Sequence, residues 1–170
     1  MALELYKGDF ELQFMEQSKA FYLEFAQNPI TNLSSHMIQI EAILKSESER
    51  VFECLDVCTH QDLITMIETI LISDRQIDLL NHPDFNLFIE QSRTDDLKRI
   101  YSLNKLVMDK NPEKTLYDDY RNRWRKWIQA KGEELLNDEE LAKKGFRAIE
   151  DFIEFRKKAE ELVRKVFPNP

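Results

Sequence analysis

Cys54, Cys58 and His60 sit close together and carry the donor types that a zinc ion takes. Their spacing matches no standard pair of zinc ligands, and a closed zinc site wants four donors, of which the fourth is not in evidence. A half-buried cysteine on a helix flank and another in a loop is the better reading. A second set, Arg121-Asn122-Arg123-Trp124-Arg125-Lys126-Trp127, mixes basic and aromatic residues as some nucleic-acid surfaces do. On a helix, however, the two tryptophans join Leu116 and Tyr120 on the apolar side, while the basic residues fan over the remaining circumference. A phosphate-tracking groove needs its charges on one side, so a core face beside a solvated face is favoured. His36, His60 and His82 have no serine, cysteine or carboxylate at a motif spacing. The acidic runs Glu47-Ser48-Glu49 and Asp138-Glu139-Glu140 read as helix surface and cap. No catalytic residue, metal ligand or cofactor site is expected, and the chain is not read as an enzyme.

The elements that would position any site are helices. Only Gly8, Gly132 and Gly145 are glycines, which leaves little material for hairpins or phosphate loops. Hydrophobic residues make up 42% and charged residues 33% of 170, the balance of a helix-rich chain with long charged faces. A net charge of −8 argues against a dedicated nucleic-acid binder. Two cysteines imply no disulfide framework and suit a reducing compartment. No apolar run approaches the roughly 20 residues of a membrane span, and Glu4, Asp9 and Glu11 do not fit a signal peptide. An intracellular location, cytoplasmic and nuclear, is expected.

Periodicity places a first helix from about Asp9 to Gln27, with Phe10, Phe14, Phe21 and Phe25 on one face, ended by Pro29. Thr31 is the expected cap of a second, reaching Leu55, with Leu33, Met37, Ile40, Leu44, Val51 and Leu55 as its stripe and Glu47 as the polar interruption. Thr59 and Asp62 have capping-box spacing before Leu63, Ile67, Ile70 and Leu71. Ser73-Asp74 marks a kink or restart, and Asn81-His82-Pro83 a break. Phe85, Phe88 and Ile89 follow. Ser92 with Asp95 predicts a capped helix whose inner face is Leu97, Ile100, Tyr101, Val107 and Met108, with Asn104 on the same stripe. Pro112 to Leu136 forms an aromatic helix with Leu116, Tyr120, Trp124, Trp127, Ile128 and Leu135 inward. Asn137-Asp138 caps a last helix to Phe167, with Leu141, Ile149, Phe152, Ala159, Val163 and Val166 inward and Arg156 snorkelling. The expected fold is all-α: an elongated bundle of six to seven helices, antiparallel because their connections are short.

The order of these positions resembles the cullin family. Asp96-Leu97-Lys98-Arg99-Ile100-Tyr101-Ser102-Leu103 is similar to that family's run of Asp-Leu, a basic residue, an apolar residue, Tyr and Leu. Phe85 and Leu87-Phe88 stand where it has Phe followed by an apolar pair. Phe10, Phe14, Ser18, Phe21 and Tyr22 match its aromatic helix ending in Phe-Tyr. Glu41, Leu44, Glu47, Arg50, Val51, Leu55, Thr59 and Leu63 match the two helices after that. Ile128 and Gly132, then Leu136-Asn137-Asp138, and finally Phe152-Ile153, Phe155 and Phe167 keep the order downstream, so the likeness runs from Leu5 to Phe167. Phe25 stands where cullins usually carry a glutamate, and Arg75 where a histidine is common; both read as surface changes.

The resemblance implies the middle of a cullin stalk, the latter part of the second repeat and much of the third. Residues 1–82 would end one repeat and start the next, 83–170 would supply the remainder, and the two would form one continuous helical unit. It implies a non-catalytic scaffold segment of a cullin-RING ubiquitin ligase. The adaptor-binding first repeat and the carboxy-terminal region that holds the RING-box subunit would lie outside it, so ligase components would be met only through flanking regions. The chain alone is expected to be a monomer without nucleic-acid or membrane partners. Two other readings stand: a free-standing helical interaction module or decoy, with Phe10, Phe14 and Tyr22 as its sticky patch, and nucleic-acid binding through Arg121–Trp127.

Overall fold

The computed structural model describes residues 10–54, 57–108, 110, 116–137 and 146–166. Among them every element is helical and no strand occurs, as the apolar periodicity requires. The helices are α1 (Glu11–Gln27), α2 (Leu33–Cys54), α3 (Val57–Glu68), a π-helical turn (Thr69–Ser73), α4 (Gln76–Asn81), α5 (Pro83–Glu90), α6 (Thr94–Met108), α7 (Leu116–Asn137) and α8 (Phe146–Val166). None is long and apolar enough to cross a membrane.

The core is the set of stripes read from the sequence. Leu33, Met37 and Ile40 of α2, Leu63 and Ile67 of α3, Phe85, Phe88 and Ile89 of α5, and Leu97, Ile100 and Val107 of α6 are all buried. Each such side chain is worth about 1.5–3 kcal/mol of transfer free energy. Helix α6 packs against α2, the π turn, α5, α7 and α8, so it is the spine on which the other layers are hung. Asn104 is indeed buried on its stripe; its Nδ2 donates to the Ile100 carbonyl at 2.9 Å, while its Oδ1 has no partner.

The expected kink at Ser73-Asp74 is real, and its mechanism is the π turn. The Asp74 amide donates to the Thr69 carbonyl, five residues back, at 2.9 Å. Ile70, Leu71, Ile72 and Ser73 are buried in succession because the turn packs against both α1 and α6. The break at Asn81-His82-Pro83 is also real. His82 caps α5, its Nδ1 accepting from the Asp84 amide at 3.2 Å, and Pro83 takes the first helical position, where a missing N–H costs nothing.

Several caps lie elsewhere than predicted. Asn32, not Thr31, caps α2: its Oδ1 accepts from the Ser35 amide at 2.8 Å. Thr59 is already inside α3, buried, and its hydroxyl donates to Glu11 of α1. Ser92 does not open α6 but closes α5. The Ser92 amide donates to the Ile89 carbonyl at 3.1 Å and the Arg93 amide to the Phe88 carbonyl at 2.8 Å, the paired bonds of a Schellman ending. Its φ of 55° is the left-handed conformation such an ending demands. Arg93 then lays its guanidinium 4.7 Å above the Phe88 ring, supplying the side-chain contact that accompanies the motif. Asn137 ends α7, and the rest of the expected cap of the last helix, Asp138 with Leu141 behind it, lies outside the described residues.

Two faces are rotated from their predicted setting. In α1 the buried residue is Tyr22, 4% exposed, while neighbouring Phe21 is 61% exposed. The bonds of Glu11 to Thr59 and of Tyr22 to Glu47 fix the helix in this rotation. In α8 Ala159, Leu162 and Val166 are buried, but Ile149, Phe152 and Ile153 are exposed. Arg156 does not snorkel along a buried stripe; it is exposed and pairs with Glu160 at 2.9 Å.

The Schellman geometry at Ser92 generates a prediction. A serine held at positive φ pays the steric cost of its Cβ, and its buried Oγ has no partner. Ser92→Gly is therefore expected to raise the unfolding free energy by about 0.5–1 kcal/mol, read as a higher urea midpoint with an unchanged slope.

Candidate functional site

The polar side chains that sequence reading singled out are not gathered into a reaction centre. His36 lies in α2, His60 in α3 and His82 at the start of α5. The Nε2 of His60 faces the Ser48 hydroxyl at 3.3 Å. The side chains of Cys54 and Cys58 lie outside the described residues. Among those described, no group of three or more histidine, cysteine and acidic residues is placed to hold a metal. Glu47 is turned inward, taking the Tyr22 hydroxyl and the Arg50 guanidinium. Burial first, then the bond to Glu47 and its charge, push the Tyr22 phenol well above its ordinary value, against the opposing pull of Arg50.

What the structure does bring together is a set of polar clamps between helices. The first joins α2 to α6. The buried carboxylate of Asp96 accepts from the Ser34 hydroxyl and sits 2.6 Å from Arg93 and 3.7 Å from Arg99. Arg99 goes on to Glu41 of α2 at 2.8 Å. The second clamp is at the other end of α6, where Lys110 donates to the buried Glu68 and, at 3.2 Å, to Thr65 of α3. A third joins the α1–α2 turn to the α4–α5 junction. Arg75 donates to the carbonyls of Ala26 and Asn28, which the end of α1 leaves without helical partners. The His82 ring reaches the Ile30 carbonyl at 3.0 Å, and Asp84 accepts from the Leu33 amide at 3.0 Å, capping α2 from a distance.

Neither Phe25 nor Arg75 is the surface change that the sequence suggests. Phe25 is half-buried and stacks on His36 with ring centroids 6.3 Å apart; the Arg75 side chain is only 14% exposed. The His36 ring is held below its ordinary value of 6.5 by burial first, then by the charges of Arg75 and His82. The two departures therefore meet at one histidine.

Outside the clamps lie the surfaces. Phe10 and Phe21 are exposed on one side of α1 and Leu12 on the opposite side, while Ile149, Phe152 and Ile153 form an apolar outer face on α8. The patch expected from Phe10, Phe14 and Tyr22 is thus shifted, since Tyr22 is buried and Phe14 half-buried. On α7 Trp124 is buried and Trp127 packs 5.7 Å from Phe155 of α8, as expected of core residues. Of the four basic residues beside them, three share a hollow and Arg121 does not. Arg123, Arg125 and Lys126 border one hollow with Ile77 and Leu80 of α4.

A helical stack clamped across its layers, with open apolar faces on α1 and α8, is what one segment of a solenoid looks like. The family model described as "Cullin alpha solenoid domain" matches residues 1–170. The chain belongs to the cullin family. It is 29% identical to Cullin-1 of Caenorhabditis elegans over 172 aligned residues, covering 98% of this chain and 21% of that protein. Cullin-6 of Caenorhabditis elegans is 36% identical over 105 residues, 62% of this chain and 14% of the relative. Cullin-4 of Dictyostelium discoideum is 24% identical over 160 residues, 93% of this chain and 19% of the relative. The chain thus spans about a fifth or less of the length of these relatives. Of the cullin-like run Asp96 to Leu103, the structure buries Asp96, Leu97, Ile100 and Leu103, so in this chain the pattern records core and clamp positions.

The His36 junction generates a prediction about pH. The folded chain resists protonating this ring, whereas the unfolded chain takes the proton near 6.5. Its contribution to stability is complete above that value and is lost as pH falls through it toward the lowered folded value. Melting temperature should fall between about pH 7.5 and about pH 5.5, and His36→Phe should flatten that fall, as read by circular dichroism melts across the range.

Proposed function

We propose that the chain is a non-catalytic, rigid scaffold segment of a cullin-RING ubiquitin ligase, lying within the stalk that separates the substrate-receptor end from the end carrying the ubiquitin-conjugating enzyme. The single observation behind this reading is the clamping of α6 at both ends, through Asp96 to α2 and through Lys110 to α3. Such a segment transmits a fixed geometry, and holding two reactants at fixed separation raises their effective concentration. The open apolar faces on α1 and α8 support a place inside a longer solenoid, because each is the kind of surface a neighbouring repeat covers. In this role residues 1–82 and 83–170 are the end of one repeat with the start of the next, and the remainder of that next repeat.

The test is a pull-down with the purified chain as bait. It should retain neither the substrate-receptor adaptor nor the RING-box subunit, because both are held by other parts of the ligase; tight capture of either would overturn the segment reading. A second reading, a free-standing interaction module, draws support from the exposure of Phe10 and Phe21 on one side of α1. Light scattering separates the two: a monomer fits the stalk segment, a stable specific dimer the module.

A further inference from the structure

The hollow between α4 and α7 is not used by the scaffold reading. It measures about 740 Å³ and is lined by Ile77, Leu80 and Asn81 on one side and by Asn122, Arg123, Arg125, Lys126, Ile128 and Gln129 on the other. A smaller hollow of about 210 Å³ continues past Arg123 and Lys126 to Asn86 of α5. The floor is apolar where Ile77 stands, 71% exposed, with Leu80 and Ile128 beside it.

The charges lining the hollow are all of one sign. Its formal net charge is −8, and many of its cations have carboxylate partners, as Arg75 has Asp78 and Lys131 has Glu134. Among the described residues no carboxylate lines the hollow, and Arg123, Arg125 and Lys126 make no ion pair. The Nε of Arg123 is buried without an acceptor. A buried donor left unsatisfied costs roughly 1–3 kcal/mol, which an incoming carboxylate would recover. Three unpaired cations around an exposed isoleucine describe the complement of their occupant.

We propose that this hollow is a docking groove for an acidic amphipathic helix of a partner protein, its apolar face on Ile77 and Leu80 and its carboxylates against Arg123, Arg125 and Lys126. A groove walled by two helices suits a third laid along it, anchored by side chains at i and i+4. Nucleic acid fits less well. Single strands bind through exposed aromatic platforms, and here Trp124 is buried and Trp127 is packed on Phe155.

The experiment uses the whole 170-residue chain and fluorescence anisotropy at low salt. The probes are labelled helical peptides of roughly 18 residues, about five turns, with glutamates along one face and leucine or phenylalanine at i and i+4 on the other. Polyglutamate and oligothymidylate of matched length serve as competitors for charge alone and for phosphate tracking. Saturable binding of at least one amphipathic peptide is expected, tighter than either competitor. Arg125→Glu with Lys126→Glu, and separately Ile77→Ser, should each weaken it by about tenfold; all three side chains are exposed, so melts of these variants should match the parent. No saturable binding, equal binding by the variants, or equal binding of polyglutamate would overturn the proposal. Tighter binding of oligothymidylate would assign the groove to phosphates, and self-association seen by light scattering would assign it to a second copy; either outcome overturns it too.

Discussion

Asp96 is a carboxylate buried at the start of α6, and three donors hold it there: the Ser34 hydroxyl, Arg93 and Arg99. The first crosses to α2, and the last continues to Glu41 on the same helix. A buried carboxylate without partners would be driven back to solvent or neutralised, so the α2–α6 register is fixed by the requirement that these donors converge. Arg93 and Arg99 are only partly covered, which moderates the cost of losing the pair to about 2–3 kcal/mol, short of a fully buried one. Hydrophobic burial supplies most of the stability, but it is non-directional; the clamp adds a definite setting of one helix against another.

The same logic recurs at the far end of α6, where Lys110 closes on buried Glu68, and at the junction where Arg75, His82 and Asp84 serve the ends of α1 and α2. In each case a charged or polar side chain from one layer satisfies backbone or side-chain groups of another. Helix ends leave donors and acceptors unpaired, and this chain completes them across layers as well as within a helix. That is how a structure with few glycines and modest helices can be stiff. Stiffness is the property that the proposed stalk role requires.

The apolar stripes were legible in the sequence because burial follows the helical period. Leu33, Met37 and Ile40, or Leu97, Ile100 and Val107, needed only spacing to be placed inside. Caps were less legible. Ser92 has the composition of an N-cap with Asp95 behind it, yet the preceding helix claimed it, because only the backbone reveals a φ of 55°. Tyr22 was buried in place of Phe21 because its hydroxyl could reach Glu47, a contact between helices that no single stripe encodes. Arg75 looked incidental until the carbonyls of Ala26 and Asn28 came into range. The α4–α7 hollow belongs to the same class. Ile77 and Lys126 are far apart in sequence, and nothing in either local pattern puts them on one rim.

Rigidity between the terminal helices is the central claim, and a distance distribution tests it most directly. Spin labels at the exposed positions Lys19 of α1 and Lys157 of α8, in a chain carrying Cys54→Ser and Cys58→Ser, would report it by pulsed electron paramagnetic resonance. A single narrow distribution that broadens on Asp96→Ala is the predicted result. A broad or multiple distribution in the parent chain, or one untouched by loss of Asp96, would contradict the account.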